Sequence, residues 1–234
     1  MAVEIIVPIT QIIQRTPDVK SFRVSVQGDI AFKAGQWLTV KLGAEKELCK
    51  PLSISNSPTE KGYLEFTKKI TASRFSRMLN QLKPGDAVNV AYPFGKFVLD
   101  GEYPRIVFLS GGIGITPIRS MAKFVIDKNL GTDMVLLYGN NTRQDIAFKE
   151  DFDAMRQSDS KLRVVHVLWH PDSEWRGRCG LMNAEVIREE VPDYQERVFF
   201  LCGPTAMVDA LKKAVCDELN VPKEKLMMEN FAGY

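Results

Sequence analysis

The hydrophobic pattern changes period near residue 100, and that change limits the architectures open to this chain. Before it, short segments alternate apolar and polar residues with period two: Phe22-Arg23-Val24-Ser25-Val26, Trp37-Leu38-Thr39-Val40-Lys41-Leu42, Tyr63-Leu64-Glu65-Phe66-Thr67 and Ala87-Val88-Asn89-Val90-Ala91. Such alternation belongs to strands with one buried face. Turn signals separate them at Val26-Gln27-Gly28-Asp29, Gly43, Ser57-Pro58, Glu60-Lys61-Gly62 and Lys83-Pro84-Gly85-Asp86, a spacing that predicts an antiparallel barrel or sandwich. One helix interrupts this half, over about 74–82, stopped by Pro84-Gly85. After Asp100-Gly101-Glu102-Tyr103-Pro104, apolar runs alternate with helical patterns. Ile106–Leu109, Met134–Tyr138, Leu162–Trp169 and Val198–Leu201 lead into helices predicted near 117–128, 146–157, 183–189 and 204–219, and Lys225-Leu226-Met227-Met228 closes the series. Near-continuous apolar strands joined by helices predict a parallel sheet covered on both faces. The expected fold is an N-terminal antiparallel β-barrel, residues 1–100, followed by an α/β parallel-sheet domain, residues 101–234.

Composition removes several classes of function. With 45% apolar and 26% charged residues over 234 positions, the chain can bury a real core. Lys and Arg number 31 against 29 Asp and Glu, a net charge of +2, so no global field draws it to nucleic acid or an anionic membrane. The longest apolar runs fall far short of the roughly 18 residues that cross a bilayer. Met1-Ala2-Val3-Glu4 opens without a basic region ahead of an apolar one, so no export signal is expected, and a cytoplasmic location is. Cys49, Cys179, Cys202 and Cys216 form no Cys-x-x-Cys pair, which disfavours zinc ribbons and iron–sulfur clusters. His166 and His170 have the spacing of a helical metal pair but fall in a β-branched, strand-like segment and its end, so no metal site is expected.

The first strand of the second half ends at Leu109-Ser110 and opens into Gly111-Gly112-Ile113-Gly114-Ile115-Thr116-Pro117. The glycines allow a tight turn and close approach of an anion, Thr116 fits a helix N-cap, and Pro117 fits the first helical position. Free N–H groups at the helix start favour a pyrophosphate. A P-loop would need Gly-Lys-Ser/Thr here, and no lysine follows. A G-x-G-x-x-G dinucleotide fingerprint fails at Pro117, and the next strand ends Tyr138-Gly139-Asn140-Asn141 without a ribose-binding acid. Asp145 reads as an N-cap for the helix that begins at Ile146.

Four motifs in order give a resemblance to the ferredoxin–NADP reductase superfamily, which couples a flavin-binding barrel to a nucleotide domain. Phe32-Lys33-Ala34-Gly35-Gln36-Trp37 is similar to the family's Gly-Gln-aromatic strand entry, and Lys50-Pro51-Leu52-Ser53 stands where the family carries Arg-x-Tyr-Ser. The Gly-Gly-x-Gly-x-Thr-Pro turn at 111–117 is the third. Cys202-Gly203-Pro204-Thr205-Ala206-Met207 resembles Cys-Gly-Pro-x-x-Met, followed by Glu229-Asn230-Phe231 for a terminal Glu-x-aromatic. Three positions depart from the family: Lys50 for arginine, which loses the bidentate fork; Leu52 for an aromatic, which loses ring stacking; and Ser73 for glycine in the Gly-x-x-Ser turn ending at Ser76.

The resemblance implies roles for particular residues. Ser53 would hydrogen-bond near flavin N5, Lys50 would face the flavin phosphates, and Pro51 and Leu52 would lie along the isoalloxazine. Phe66, Thr67 and Lys68 on a neighbouring strand, with Ser73, Arg74 and Ser76 at the helix start, would complete the FAD site. Gly112, Gly114 and Thr116 would take the NAD(P)H pyrophosphate, Asn140 and Arg143 its adenosine end, and Cys202, Gly203 and Met207 its nicotinamide end. Glu229 would orient the ring or relay a proton, and Phe231 or Tyr234 would cover the flavin. Ser53, Cys202 and Glu229 are the catalytic candidates. Trp175-Arg176-Gly177-Arg178-Cys179-Gly180 is similar to a family loop at the nucleotide edge. Hydride transfer needs the two rings at roughly 3–3.5 Å, which is why each domain must hold one partner. The expected activity is that of a flavin-dependent NAD(P)H reductase using FAD and NADH or NADPH, passing electrons to ferredoxin, flavodoxin or a partner enzyme. The alternative is a non-catalytic flavoprotein electron-transfer subunit of a larger redox complex. The scattered cysteines also imply that no fused iron–sulfur module is carried.

Overall fold

A computed structural model describes residues 2–26, 28 and 31–231. The N-terminal half holds β1 (Val3–Thr16), β2 (Val19–Ser25), β3 (Trp37–Lys41), β4 (Cys49–Ser53), β5 (Tyr63–Lys69), α1 (Arg74–Gln81) and β6 (Ala87–Phe94). The strands form an antiparallel sheet in the order β4-β3-β6-β1-β2-β5. An antiparallel bridge between Ile54 and Phe66, with the Ser55 N–H donating to Glu65 O at 2.8 Å, joins the two ends and closes the barrel. The alternating apolar residues line its interior: Phe22, Val24, Leu38, Val40, Leu64, Phe66, Val88 and Val90 are all buried in one cluster, with Phe75 and Leu79 of α1 packed on it. α1 starts at Arg74 because the Ser73 hydroxyl caps it, accepting from the Ser76 N–H.

The C-terminal half holds β7 (Arg105–Gly111), α2 (Ile115–Asp127), β8 (Asp133–Asn140), α3 (Lys149–Ser158), β9 (Leu162–Leu168), β10 (Arg178–Cys179), α4 (Ala184–Glu190), β11 (Val198–Pro204), α5 (Thr205–Lys213) and β12 (Leu226–Phe231). These six strands form a parallel sheet in the order β10-β9-β8-β7-β11-β12. The chain therefore starts in the middle at β7, builds outward through β8 and β9, then returns to β11 on the other side. The strand order reverses between β7 and β11, and crevices at such reversals, outside the C-terminal strand ends, are where open α/β sheets bind ligands. Among the described residues no helix is long and apolar enough to cross a membrane.

Helix boundaries differ from the sequence expectations at three places. α2 begins at Ile115, continuous with a tight 3₁₀ turn at Gly112–Gly114, so Thr116 and Pro117 lie inside it. Thr116 is accordingly not the cap; its hydroxyl donates back to Ile113 O at 3.0 Å. α3 starts at Lys149 instead of Ile146, because Asp145 closes a capping box on the 3₁₀ turn Arg143–Asp145, accepting from the Thr142 N–H at 2.9 Å. The predicted helix 204–219 ends as α5 at Lys213 and continues as a wider π turn over Ala214–Glu218.

Candidate active site

Parallel pairing aligns one residue from each strand across the sheet, side chains on the same face. Near the C-terminal edge one such row reads Glu229, Cys202, Ser110, Tyr138, His166, from β12 through β11, β7 and β8 to β9. Tyr138 and Cys202 belong to the buried cluster that also takes in Val19, Ala34 and Phe97 from the N-terminal half, so this face looks toward the barrel. Most of the row lacks partners. Ser110 Oγ, His166 Nδ1 and Glu229 Oε2 are buried without a hydrogen bond, as are both amide atoms of Asn140, two residues past Tyr138. Buried polar atoms are almost always paired, so a concentration of unpaired ones marks where another molecule belongs. Across the seam, Ser53 Oγ at the end of β4 is unpaired in the same way.

Electrostatics separate the members of the row. Burial pushes the Glu229 carboxyl up to about 7. Burial, with the Glu229 carboxylate beside it, pushes the Cys202 thiol well above its ordinary range, so Cys202 is a neutral, polarizable wall and not a thiolate. Burial first, and Lys149 second, hold His166 below its usual value, keeping the imidazole neutral. The Tyr138 hydroxyl donates to Gly112 O at 3.0 Å and anchors the glycine turn to β8.

A cavity of about 640 Å³ runs along these strand ends. Gly111, Gly112, Asn140, Trp169, Gly180 and Met207 are among the residues lining its α/β side, and Asp18, Val19, Lys69 and Thr71 close it from the barrel. Gly112 has φ +51° and open space where a Cβ would sit, so its bare backbone faces the cavity. Gly114 does the opposite: a Cβ there would stand 2.2 Å from Cys202 O, so only glycine lets the start of α2 pack onto β11. Together they present the first amides of α2 beside the nicotinamide candidates Cys202 and Gly203, a cradle that fits a pyrophosphate. Met207, on the first turn of α5, lies over the same turn.

On the barrel, Lys50 is exposed on β4 and Lys68 is buried on β5. Burial first, then the charges of Lys50 and Lys69, push the Lys68 ammonium down to about 8, while its Nζ donates to Lys69 O at 2.9 Å. Lys50 and Lys68 lie close enough to repel, which suits an anionic ligand beside them, whereas Lys69 is already paired with Asp18 at 2.9 Å. The Ser76 hydroxyl is 3.1 Å from Thr71 Oγ1 at the start of α1, adding hydroxyls to that side. These groups suit flavin phosphates, and the unpaired Ser53 hydroxyl suits a ring nitrogen.

Other sequence candidates lie elsewhere or are already engaged. Phe66 does not reach the ligand side: it is wholly buried in the barrel core beside Leu64 and stacks on Phe22 at 5.4 Å. Leu52 likewise packs into the barrel core, leaving Pro51 and Ser53 on the other face of β4. The Thr67 hydroxyl is bound to Ser21 and Ser55. Arg74 pairs with Glu45 and Glu47, and Arg143 with Asp172 and Glu174. Phe231 ends β12, partly buried against the inner cluster, and Tyr234 lies outside the described residues. Sequence reasoning missed Ser110, Tyr138 and the cavity-facing Lys69 and Thr71, and weighed His166 as a metal ligand only to set that role aside. The signal for the row was the strand register, which no single segment carries.

Two family models match successive parts of the chain. The oxidoreductase FAD-binding domain family matches residues 7–99 and the oxidoreductase NAD-binding domain family residues 108–213. The glycine betaine monooxygenase reductase subunit of Pseudomonas aeruginosa is 32% identical over 210 residues, 86% of this chain and 57% of that protein. NADH-cytochrome b5 reductase 1 of Aspergillus clavatus is 33% identical over 181 residues, covering 74% of this chain and 59% of that protein. The chain thus spans less than two thirds of the curated relatives it matches. In fold, the cytochrome b5 reductase domain of Ulva prolifera nitrate reductase superposes with a TM-score of 0.87 at 20% identity, over 97% of each chain. A barrel and a parallel sheet in this order, each matched by its own cofactor-binding family, place the chain in the ferredoxin–NADP reductase superfamily.

Proposed function

We propose that this chain, with residues 1–100 holding FAD and 101–234 holding the pyridine nucleotide, takes hydride from NADH and passes electrons on to a separate acceptor. One observation carries the reading: the unpaired buried side-chain atoms among the described residues all lie on β4 or on the inner face of the parallel sheet at its C-terminal edge. Bound FAD supplies a two-electron acceptor that can release electrons one at a time. The protein supplies the rest. Gly112 and Gly114 hold the pyrophosphate on the α2 amides, and Ser110, Cys202 and Glu229 hold the nicotinamide at the strand reversal. Ser53 donates its hydroxyl proton in a hydrogen bond at the flavin ring, and the lysines at 50 and 68 bind the flavin phosphates. Glu229, poised near neutrality, donates a hydrogen bond to the nicotinamide amide when protonated.

NADH is preferred over NADPH. Arg143, the guanidinium next to the adenosine end, is held by Asp172 at 2.7 Å and Glu174 at 3.2 Å. An added 2′-phosphate would have to displace two carboxylates to reach it. The acceptor is a small redox protein or an oxygenase component, in keeping with relatives that are named as a monooxygenase reductase subunit and a cytochrome b5 reductase. Anaerobic addition of NADH to FAD-reconstituted protein tests the reading: the flavin absorbance bleaches within seconds, and NADPH acts more slowly. A protein that retains no FAD, or whose FAD stays oxidised with excess NADH, overturns it.

A further inference from the structure

The nicotinamide and flavin contacts proposed above sit on different sheets, so their separation depends on what fixes one sheet against the other. α2 carries the pyrophosphate turn at its start, and Arg119 lies one helical turn further on, only 5% exposed. All five of its N–H groups are used. Nε and one Nη2 hydrogen donate to Asp151 Oδ1 at 3.1 and 2.8 Å, the other Nη2 hydrogen donates to Glu60 Oε1 at 3.1 Å, and Nη1 donates to Glu60 Oε2 and to Ser55 O, the latter at 3.3 Å. Ser55 lies two residues beyond Ser53 on the same face of the chain. The adjacent Ser120 donates its hydroxyl to Asn56 O at 2.7 Å.

The anchor is braced on both sides. Asp151, on α3, also accepts from Arg15 of β1 at 3.0 Å, and Arg15 contacts Glu65 of β5 at 3.3 Å. Glu65 accepts from Arg23 at 2.8 Å and from the Ser55 hydroxyl at 3.0 Å. Glu60 is pinned by the Ser57 N–H at 2.7 Å and the Tyr63 hydroxyl at 3.1 Å. Arg15, Arg23 and Arg119 thus balance Glu60, Glu65 and Asp151. A buried, charge-balanced network adds little net stability, because desolvation offsets most of the attraction; what it supplies is fixed geometry. A guanidinium fork is suited to that task, since its five donors are rigidly arranged.

We infer that Arg119 is a positioning residue for hydride transfer, tying the helix that holds the nucleotide to the strand segment that contacts the flavin ring. This rests on the function proposed above. Misplacing reacting atoms by about 1 Å costs on the order of a hundredfold in rate, so loosening this tie lowers the transfer rate without removing either binding site.

The test uses FAD-loaded wild-type, Arg119→Lys and Ser120→Ala proteins. Lysine keeps the charge but cannot hold Ser55, Glu60 and Asp151 together, and Ser120→Ala leaves every ion pair in place. Expected are a fall of at least about tenfold in the limiting rate of flavin reduction for Arg119→Lys and about threefold for Ser120→Ala. FAD content and half-saturating NADH stay within about twofold of wild type. Amide hydrogen exchange over 53–60 rises in both variants before NADH is added, and the long-wavelength absorbance of nicotinamide stacked on flavin weakens. Unchanged limiting rates in both variants overturn the inference, as does a loss of rate matched by loss of FAD, which would make Arg119 a stability residue only. Failure of wild-type protein itself to be reduced by NADH is a separate outcome, and it overturns the proposed function.

Discussion

The two faces of the parallel sheet are made from alternate residues of the same strands, yet they end differently. The outer face runs Val107-Leu109, Val135-Leu137 and Phe199-Leu201, closed by Ile187, Val208, Leu211 and Val215 from the covering helices. It stays apolar to the strand ends. The inner face runs Ile106-Phe108, Met134-Leu136 and Phe200 and then turns polar, at Ser110, Tyr138, Asn140, His166, Cys202 and Glu229. Among the described residues, every side chain of the parallel sheet with an unpaired buried polar atom is on this inner face. Strand pleating assigns the faces, so a single backbone supports an apolar packing surface on one side and, at its C-terminal edge, a polar one on the other.

The largest expected effect comes from the joint that brings the inner face to the nucleotide. Gly114→Ala drives a Cβ into Cys202 O and displaces the turn. NADH binding measured by titration weakens on the order of a hundredfold while FAD binding persists; equal affinity would show that the turn does not hold the nucleotide.

A pair of substitutions one residue apart breaks the comparison most cleanly. Leu201→Ala, on the outer face, lowers unfolding stability by about 2–5 kcal/mol in denaturant titration and leaves the rate of flavin reduction near wild type. Cys202→Ala, on the inner face, costs less stability and slows reduction about tenfold. If both variants lose stability and rate in parallel, the two faces are not functionally distinct.

Glu229 sharpens it through pH. Its folded-state carboxyl is raised to about 7 by burial, from 4.5 in the unfolded chain, so the folded protein favours the protonated form. That contribution to stability is complete below 4.5 and is lost as pH rises through about 7, on the order of 3 kcal/mol across the window at about 1.4 kcal/mol per pH unit. In nucleotide-free protein, melting temperature therefore falls over this range, and Glu229→Gln flattens the fall. An identical profile in the variant contradicts the assignment.

The smallest effect is on coenzyme choice. Freeing Arg143 with Asp172→Asn and Glu174→Gln raises kcat/KM for NADPH about tenfold, about 1.4 kcal/mol, with little change for NADH. No gain would place the 2′-position away from Arg143.

Much of this was readable from the chain because it is local. The period change near residue 100 and the glycine turn at 111–114 each announce themselves within a few residues. The start of α2 was misplaced because Thr116-Pro117 imitates a cap, whereas the 3₁₀ turn at Gly112–Gly114 had already begun the winding. The inner row could not be read because its members are spread from Ser110 to Glu229 and meet only through strand register. The Arg119 anchor was hidden for the same reason: Glu60 and Asp151 approach it from opposite directions in sequence and from different domains in space. Phe66 shows the converse, a residue near a plausible motif whose strand parity sends it into the barrel core.

The most direct test is a crystal structure of the protein with FAD and NAD⁺ both bound. The account predicts a flavin ring accepting a hydrogen bond from Ser53 Oγ, with the nicotinamide stacked on it between the ends of β7 and β11, its amide beside Glu229 and Cys202. A nicotinamide bound anywhere else, or a seam closed to both rings, would contradict it.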